Sequence, residues 1–99
     1  MKIALINGSP KISGSASGSI LQDLRSFLED TADTIYDYHF KKPIVSAEEV
    51  AALSECDILI FAFPLYVDGI PSHLLRCLVQ LEQSLAKANK EITVYVVAN

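Results

Sequence analysis

Residues 2–28, KIALINGSPKISGSASGSILQDLRSFL, set the architecture of the chain. The short apolar run Lys2–Ile6 predicts a β-strand, and the turn residues NGSP that follow it mark its end. A loop rich in glycine and serine comes next. Residues 19–30 then place apolar side chains at helical spacing, which predicts an amphipathic helix with Ser17 or Ser19 as its N-cap.

The rest of the chain continues this alternation of short strands and amphipathic helices. Further strands are predicted over residues 33–40, 58–63 and 92–98, and further helices from the capping box at Ser46–Glu49 to about Glu55 and from Pro71 to about Asn89. The strand ILIFAF at 58–63 is apolar throughout, as expected where both faces are covered. The order β-α-β-α-β-α-β predicts a single α/β domain over residues 1–99, with a parallel sheet between helices.

Length, charge and hydropathy limit the class of protein. The chain has 99 residues, 51% of them apolar, and a mean hydropathy of +0.31, so a disordered chain is excluded. The net charge of −4 argues against a nucleic-acid or anionic-membrane partner, and no apolar run approaches the roughly 18 residues of a membrane span. Two cysteines make no disulfide framework or four-ligand metal site, and the N-terminus lacks a signal peptide, so a cytoplasmic protein is expected.

Two loops at the predicted carboxyl ends of the first and third strands are the candidate ligand site, because open α/β sheets bind ligands at that edge. Loop 1 covers residues 7–19 and loop 2 covers residues 64–71. Loop 1 offers five serine hydroxyls, Lys11 and a helix N-terminus, with no acidic residue before Asp23, and this composition suits a phosphate group. The alternative is a solvated Ser/Gly loop with an ordinary helix cap.

Two common phosphate motifs are absent from loop 1. GxxxxGK[ST] fails because Gly14 comes six residues after Gly8 and no Lys follows it. GxGxxG fails because Gly14 and Gly18 are four residues apart with no glycine between them. The sequence therefore argues against ATP or GTP hydrolysis and against a Rossmann-type NAD site.

Loop 2 is apolar and aromatic. Tyr66 lies between Pro64 and Pro71 and beside Leu65 and Val67, a composition suited to contact with a flat ring. The alternative is that Tyr66 merely packs on the surface. A phosphate loop and an aromatic loop on neighbouring strands favour one composite site.

Both loops resemble motifs of the flavodoxin-like family of NAD(P)H-dependent FMN reductases and related quinone and azo reductases. INGSPKISGSASGSIL, residues 6–21, is similar to the GSPR-type loop of that family with an SxS ending, and FPLYVDGIPSHLLRCL, residues 63–78, is similar to its PxYxxxxPxxLK pattern. The resemblance implies a flavodoxin-like, three-layer αβα fold with a parallel sheet of order 2-1-3-4, truncated after the fourth strand. It also implies FMN as the cofactor.

The resemblance further implies which residues contact FMN. The phosphate would be held by Ser9, Lys11, Ser15, Ala16 and Ser17, and the isoalloxazine ring would be lined by Pro64, Leu65, Tyr66, Val67, Asp68 (through its backbone) and Asn99, where a third flavin loop would begin. Lys11 replaces the usual Arg, so a point charge takes the place of a bidentate fork. No catalytic side chain is expected, because the chemistry belongs to the cofactor. His73, at the start of the third helix, is expected to face solvent, and the alternative is that it reaches the mouth of the site.

The function implied is transfer of hydride or electrons from NAD(P)H through FMN to a quinone, a flavin or another small acceptor. Two alternatives stay open: a flavodoxin-type FMN electron carrier without its own NAD(P)H reaction, and a non-catalytic half-fold that acts through self-association. Since the family fold has further elements, we expect an uncovered edge at strand four and an uncovered sheet face over strands one and three. These surfaces predict a homo-oligomer such as a dimer.

Overall fold

A computed structural model describes residues 1–11, 14–67, 69–88 and 90–99. These residues form, in chain order, β1 (Lys2–Asn7), α1 (Ala16–Leu28), β2 (Thr34–His39), α2 (Ala47–Ser54), β3 (Ile58–Phe63), α3 (Ser72–Leu85) and β4 (Thr93–Ala98). The strands pair in parallel in the order β2-β1-β3-β4. The predicted α/β class and the strand order 2-1-3-4 are therefore confirmed.

The core covers both faces of the two central strands, β1 and β3. Ile6 and Phe61 lie in one buried cluster with residues of α2 and α3, whereas Leu5 and Ile60 lie in a second cluster with Leu21 of α1. Burial of each large aliphatic side chain contributes about 1.5–3 kcal/mol. The expectation that the face over β1 and β3 lacks a helix is wrong, because α1 covers it.

The start of α1 differs from the prediction. The helix begins at Ala16, three residues before the predicted start at Ser19, and its N-cap is Ser15. The hydroxyl of Ser15 accepts a hydrogen bond from the amide of Gly18 at 2.9 Å. Neither Ser17 nor Ser19 is the cap, so the last four residues of loop 1, 16–19, already belong to α1.

The other helix termini follow the sequence more closely. The predicted capping box that opens α2 is confirmed, with the Glu49 amide 3.2 Å from the Ser46 hydroxyl and the Ser46 amide 3.0 Å from the Glu49 carboxylate. Helix α3 ends at Leu85, the last residue of its apolar stripe, and the predicted end at Asn89 lies outside the described residues. Beyond the helix, Nζ of Lys90 lies 3.1 Å from the Asp57 carboxylate, where the chain returns to the sheet.

Strand β4 is an edge strand with both faces accessible. Val94, Tyr95 and Val96 are each more than half exposed. The amides of Thr93 and Asn99 donate to carbonyl groups at the two ends of β3. Because parallel ladders use alternate residues, Val94 and Val96 direct their backbone polar groups to the open edge. The expected exposed edge is confirmed for the part of the chain that the structure describes.

No helix formed by the described residues has the length and apolar character that crossing a bilayer requires.

Candidate functional site

The carboxyl ends of β1 and β3 lie side by side, because the two strands pair from Ile3 with Ile58 to Asn7 with Ala62. Loop 1 and loop 2 leave the sheet at this edge. A cleft of about 350 Å³ lies between them, lined by Pro10 of loop 1 and by Tyr66, Gly69, Ile70, Pro71, Ser72 and His73. The structure thus brings the two predicted loops to one edge of the sheet. The predicted phosphate residues of loop 1 lie beside this cleft and do not line it.

The first turn of loop 1 is tied down at Ser9, which is only 3% exposed. Its amide donates to Oδ1 of Asn7 at 2.9 Å, and its hydroxyl accepts from the amide of Lys11 at 3.2 Å. The Lys11 side chain is exposed. Loop 1 therefore holds Ser9 in a fixed position, whereas the Lys11 side chain stays accessible to solvent.

Ser15 lies at the other end of loop 1, at the N-terminus of α1, and is 7% exposed. Its hydroxyl oxygen accepts from Nδ2 of Asn7 at 3.2 Å and from the Gly18 amide at 2.9 Å. A hydroxyl oxygen has two acceptor positions, so both are used and its hydrogen is the group that remains to be donated. Gly14 enables this placement, since it has φ +68°, which glycine adopts without strain. Ser13, also in loop 1, lies outside the described residues.

Ala16 and Ser17 form the first turn of α1. Ser17 is 1% exposed, and its hydroxyl donates to Oδ1 of Asn99 at 3.0 Å. The hydroxyl of Ser17 is thus directed to the end of β4, and only the backbone amides of Ala16 and Ser17 belong to the helix N-terminus, where the first amides lack partners within the helix. The carbonyl of Asn99 also accepts from the amide of Leu65 at 2.7 Å, which joins β4 to loop 2.

Loop 2 presents an apolar surface to its surroundings. Leu65 is 61% exposed, Tyr66 48% and Val67 fully exposed. A tight turn holds this surface, with the Tyr66 amide 2.8 Å from the Gly69 carbonyl and the Gly69 amide 2.9 Å from the Tyr66 carbonyl. Pro64 is half-buried at the base of the loop, and Asp68 lies outside the described residues. The Tyr66 side chain is therefore accessible from the cleft.

Two residues at this edge were missed by sequence reasoning. Asn7 joins the start and the end of loop 1 through the contacts with Ser9 and Ser15 described above. His39 ends β2 and contacts the Ser9 carbonyl through Nε2 at 2.8 Å. The Asn7-Gly8 pair indicated only a turn. The strand register that places His39 opposite Asn7 cannot be predicted from local patterns in a single sequence.

His73 differs from its expected position. The ring is half-buried rather than directed to solvent, and Nε2 lies 2.7 Å from the carbonyl oxygen of Phe40. This contact ties the first turn of α3 to the end of β2. His73 also lines the cleft, as the alternative position at the mouth of the site requires.

Both cysteines lie in the core, away from the two loops. Cys56 and Cys77 are fully buried, and burial raises the pKa of each thiol. The Cys77 thiol also donates to the Lys42 carbonyl at 3.1 Å. Both thiols therefore stay protonated at neutral pH. Within the described ranges, no three His, Cys, Asp or Glu side chains group as metal ligands would.

A second groove, of about 410 Å³, lies between α3 and β4 and shares no residue with the two loops. Leu59, Leu78, Leu85 and Val94 contribute to its apolar lining. It follows the exposed face of β4, so we assign it to that edge rather than to the ligand site.

The strand order and the position of the cleft define the class of protein. A doubly wound sheet that begins 2-1-3-4, with its ligand cleft between the ends of β1 and β3, is flavodoxin-like. A family model described as flavodoxin-like fold matches residues 1–76, which include all of loop 1 and loop 2, and the chain belongs to this family. The family is associated with oxidoreductase flavoproteins, and its members typically bind flavin. A comparison with curated proteins gives no match.

Proposed function

We propose that the chain binds FMN in the cleft between loop 1 and loop 2 and acts as an NAD(P)H-dependent oxidoreductase for a quinone, a flavin or another small acceptor. One observation carries the proposal: a loop with three buried serines and an exposed apolar loop leave neighbouring strands at one edge of the sheet, where Pro10 and Tyr66 line a common cleft. This pairing matches a ligand with an anionic end and a flat end. Family membership supports a flavin as the cofactor, and FMN and NAD(P)H are the specific cofactor and reductant that we propose.

The phosphate of FMN would be held by loop 1. The Ser15 hydroxyl oxygen already accepts two hydrogen bonds, so the hydroxyl group can only donate a further one. A phosphate oxygen is an acceptor and can take this hydrogen. The backbone amides of Ala16 and Ser17 add the positive end of the α1 dipole. Ser9 shapes the first turn, and Lys11 supplies the one basic side chain of the loop. No carboxylate of loop 1 would repel a dianion.

The isoalloxazine ring would lie against loop 2. Leu65, Tyr66 and Val67 offer apolar surface that is open to solvent, and covering it contributes about 25 cal/mol for each Å² removed from water. Pro64 fixes the start of this loop. Asp68 would contribute through its backbone. The Asn99 side chain is engaged with Ser17, so Asn99 would act from the end of β4 by holding Leu65 in place.

The side chains of the site provide binding and orientation, and none of them needs to act as an acid, a base or a nucleophile. When bound, FMN would supply the two-electron redox chemistry between reduced nicotinamide and the acceptor. The role of loop 1 is to orient the cofactor by its phosphate. The role of loop 2 is to shield one part of the ring from water.

The experiment is a fluorescence titration with FMN followed by anaerobic addition of NADPH or NADH to the loaded protein. We expect quenching of flavin fluorescence on binding and then bleaching of the visible absorbance. Binding without bleaching favours the alternative of a flavodoxin-type electron carrier. Absence of binding contradicts both flavin readings and leaves the half-fold that acts through self-association.

A further inference from the structure

His39 connects the edge strand β2 to loop 1. Its Nε2 atom lies 2.8 Å from the carbonyl oxygen of Ser9. A carbonyl oxygen only accepts, so Nε2 carries the hydrogen and donates it. The parallel register pairs His39 with Asn7, the last residue of β1, and the next amide, that of Phe40, donates to the Asn7 carbonyl at 2.9 Å. The end of β2 is thus fixed to β1 exactly where loop 1 begins.

Ser9 is held from three directions. Its amide is bound to the Asn7 side chain, its hydroxyl to the Lys11 amide, and its carbonyl to the His39 ring. The His39 contact comes from another strand, whereas the other two come from residues within two positions of Ser9. It is therefore the long-range bond among the three that hold Ser9, and it adds to the bond from the Gly8 amide to the Ala62 carbonyl of β3 at 2.8 Å.

We propose that His39 is a positioning residue for the phosphate of the bound cofactor. By holding the Ser9 carbonyl, His39 sets the direction in which Ser9 and Lys11 face the phosphate, without touching the ligand itself. The statement about the phosphate rests on the proposed function, whereas the effect of His39 on the conformation of loop 1 does not.

The physical consequence is preorganisation. Without the His39 bond, loop 1 samples more conformations in the free protein, and ordering it on binding costs part of the interaction free energy. Only ligands that carry a phosphate meet this cost, because the ring contacts lie on loop 2. The loss of His39 should therefore change the ratio of FMN to riboflavin affinity, which a general loss of stability would leave unchanged.

The experiment compares dissociation constants for FMN and riboflavin in wild type, His39→Ala, His39→Gln and Gln80→Ala. Gln80 is the control in another part of the molecule, since its Nε2 donates to the Val45 carbonyl and its Oε1 accepts from the Val45 amide, both at 2.8 Å, so its loss costs at least as many hydrogen bonds. We expect His39→Ala to raise the dissociation constant for FMN by about fivefold to tenfold, the effect of losing one hydrogen bond. The dissociation constant for riboflavin should rise by less than about twofold. His39→Gln, which keeps a donor, should recover part of the FMN affinity, and Gln80→Ala should leave the ratio unchanged.

A second readout, independent of flavin, is hydrogen exchange at the Lys11 amide in the ligand-free protein. This amide is bound to Ser9, so its exchange should be faster in His39→Ala and unchanged in Gln80→Ala. If the Lys11 amide exchanges faster in His39→Ala and neither protein binds flavin, the proposed function is refuted, whereas the effect of His39 on loop 1 is supported. An unchanged FMN to riboflavin ratio in a flavin-binding His39→Ala protein, or unchanged exchange at Lys11, overturns the inference.

Discussion

Loop 1 and loop 2 leave neighbouring strands at the same edge of the sheet, yet they are built in opposite ways. Three serines of loop 1, Ser9, Ser15 and Ser17, are 1–7% exposed and hydrogen-bonded within the protein. In contrast, Leu65, Tyr66 and Val67 of loop 2 are from about half to fully exposed. An anion requires donors that are fixed before it arrives, because misplaced polar groups cost free energy. A flat apolar ring requires only accessible surface. Loop 1 should therefore set specificity, and loop 2 should add affinity without distinguishing phosphorylated from plain flavins.

The largest effect is expected from a charge placed in loop 1. Ser15→Asp should lower FMN affinity by a factor on the order of 100 or more, because a carboxylate beside the phosphate repels it. Aspartate is a good N-cap, so α1 should remain intact by circular dichroism. Ser15→Asn is the control, since it keeps a capping oxygen without the charge. FMN affinity retained in Ser15→Asp, measured by fluorescence titration, would show that loop 1 is not the phosphate site.

A smaller effect is expected from loop 2. Tyr66→Ala should weaken FMN and riboflavin equally, by about tenfold, because it removes apolar and aromatic contact with the ring. Tyr95→Ala is the matched control, since Tyr95 is similarly exposed, at 56% against 48% for Tyr66, but lies on β4. A change confined to FMN would assign Tyr66 to the phosphate end and contradict the division between the loops.

The exposed side of the molecule continues from loop 2 to β4, and there we expect self-association. The strand Thr93–Ala98 carries no charge and has open backbone groups at Val94 and Val96, so a second copy of β4 can pair with it in the antiparallel direction. Val96→Lys should shift the protein toward monomer in light scattering at tens of micromolar. Val79→Lys, at a similarly exposed position on α3, should have no such effect. A wild-type protein that is monomeric under these conditions contradicts this expectation.

The smallest effect on the site is expected from Asp57, at the opposite end of the sheet. A hydrogen bond from the Lys2 amide at 2.8 Å and, secondly, the ammonium of Lys90 lower the pKa of this carboxyl. The ionised form therefore stabilises the folded state at neutral pH, and this contribution is lost as pH falls below about 4 through the lowered pKa. Asp57→Asn should lower the free energy of unfolding, measured with urea, at pH 7. In the variant this free energy should also fall less steeply as the pH drops into the acid range.

The matched comparison for Asp57→Asn is FMN binding at pH 7. It should equal that of wild type, because Asp57 bonds to Lys2, Lys90 and Thr93 at the end of the sheet opposite to loop 1 and loop 2. An altered FMN affinity would mean that the two ends of the sheet are coupled.

The sequence was sufficient to predict the strands, the helices and their order. The apolar run ILIFAF is typical of a buried strand, and the apolar residues of the helices recur at helical spacing. The sequence was not sufficient for the start of α1. Several serines of SGSASGS are equivalent as caps by local preference, and the contact between Asn7 and Ser15 contributes to the choice. The direction of the Ser17 hydroxyl depends on Asn99, 82 positions away. The contacts of His39 and His73 likewise depend on tertiary placement, which local patterns do not encode.

The most direct test of the joint site is a crystal structure of the protein grown with FMN. We expect the phosphate within hydrogen-bond distance of the Ser15 hydroxyl and the ring against Tyr66. A cleft between Pro10 and Tyr66 that holds only water, or FMN bound elsewhere with loop 1 empty, would contradict it.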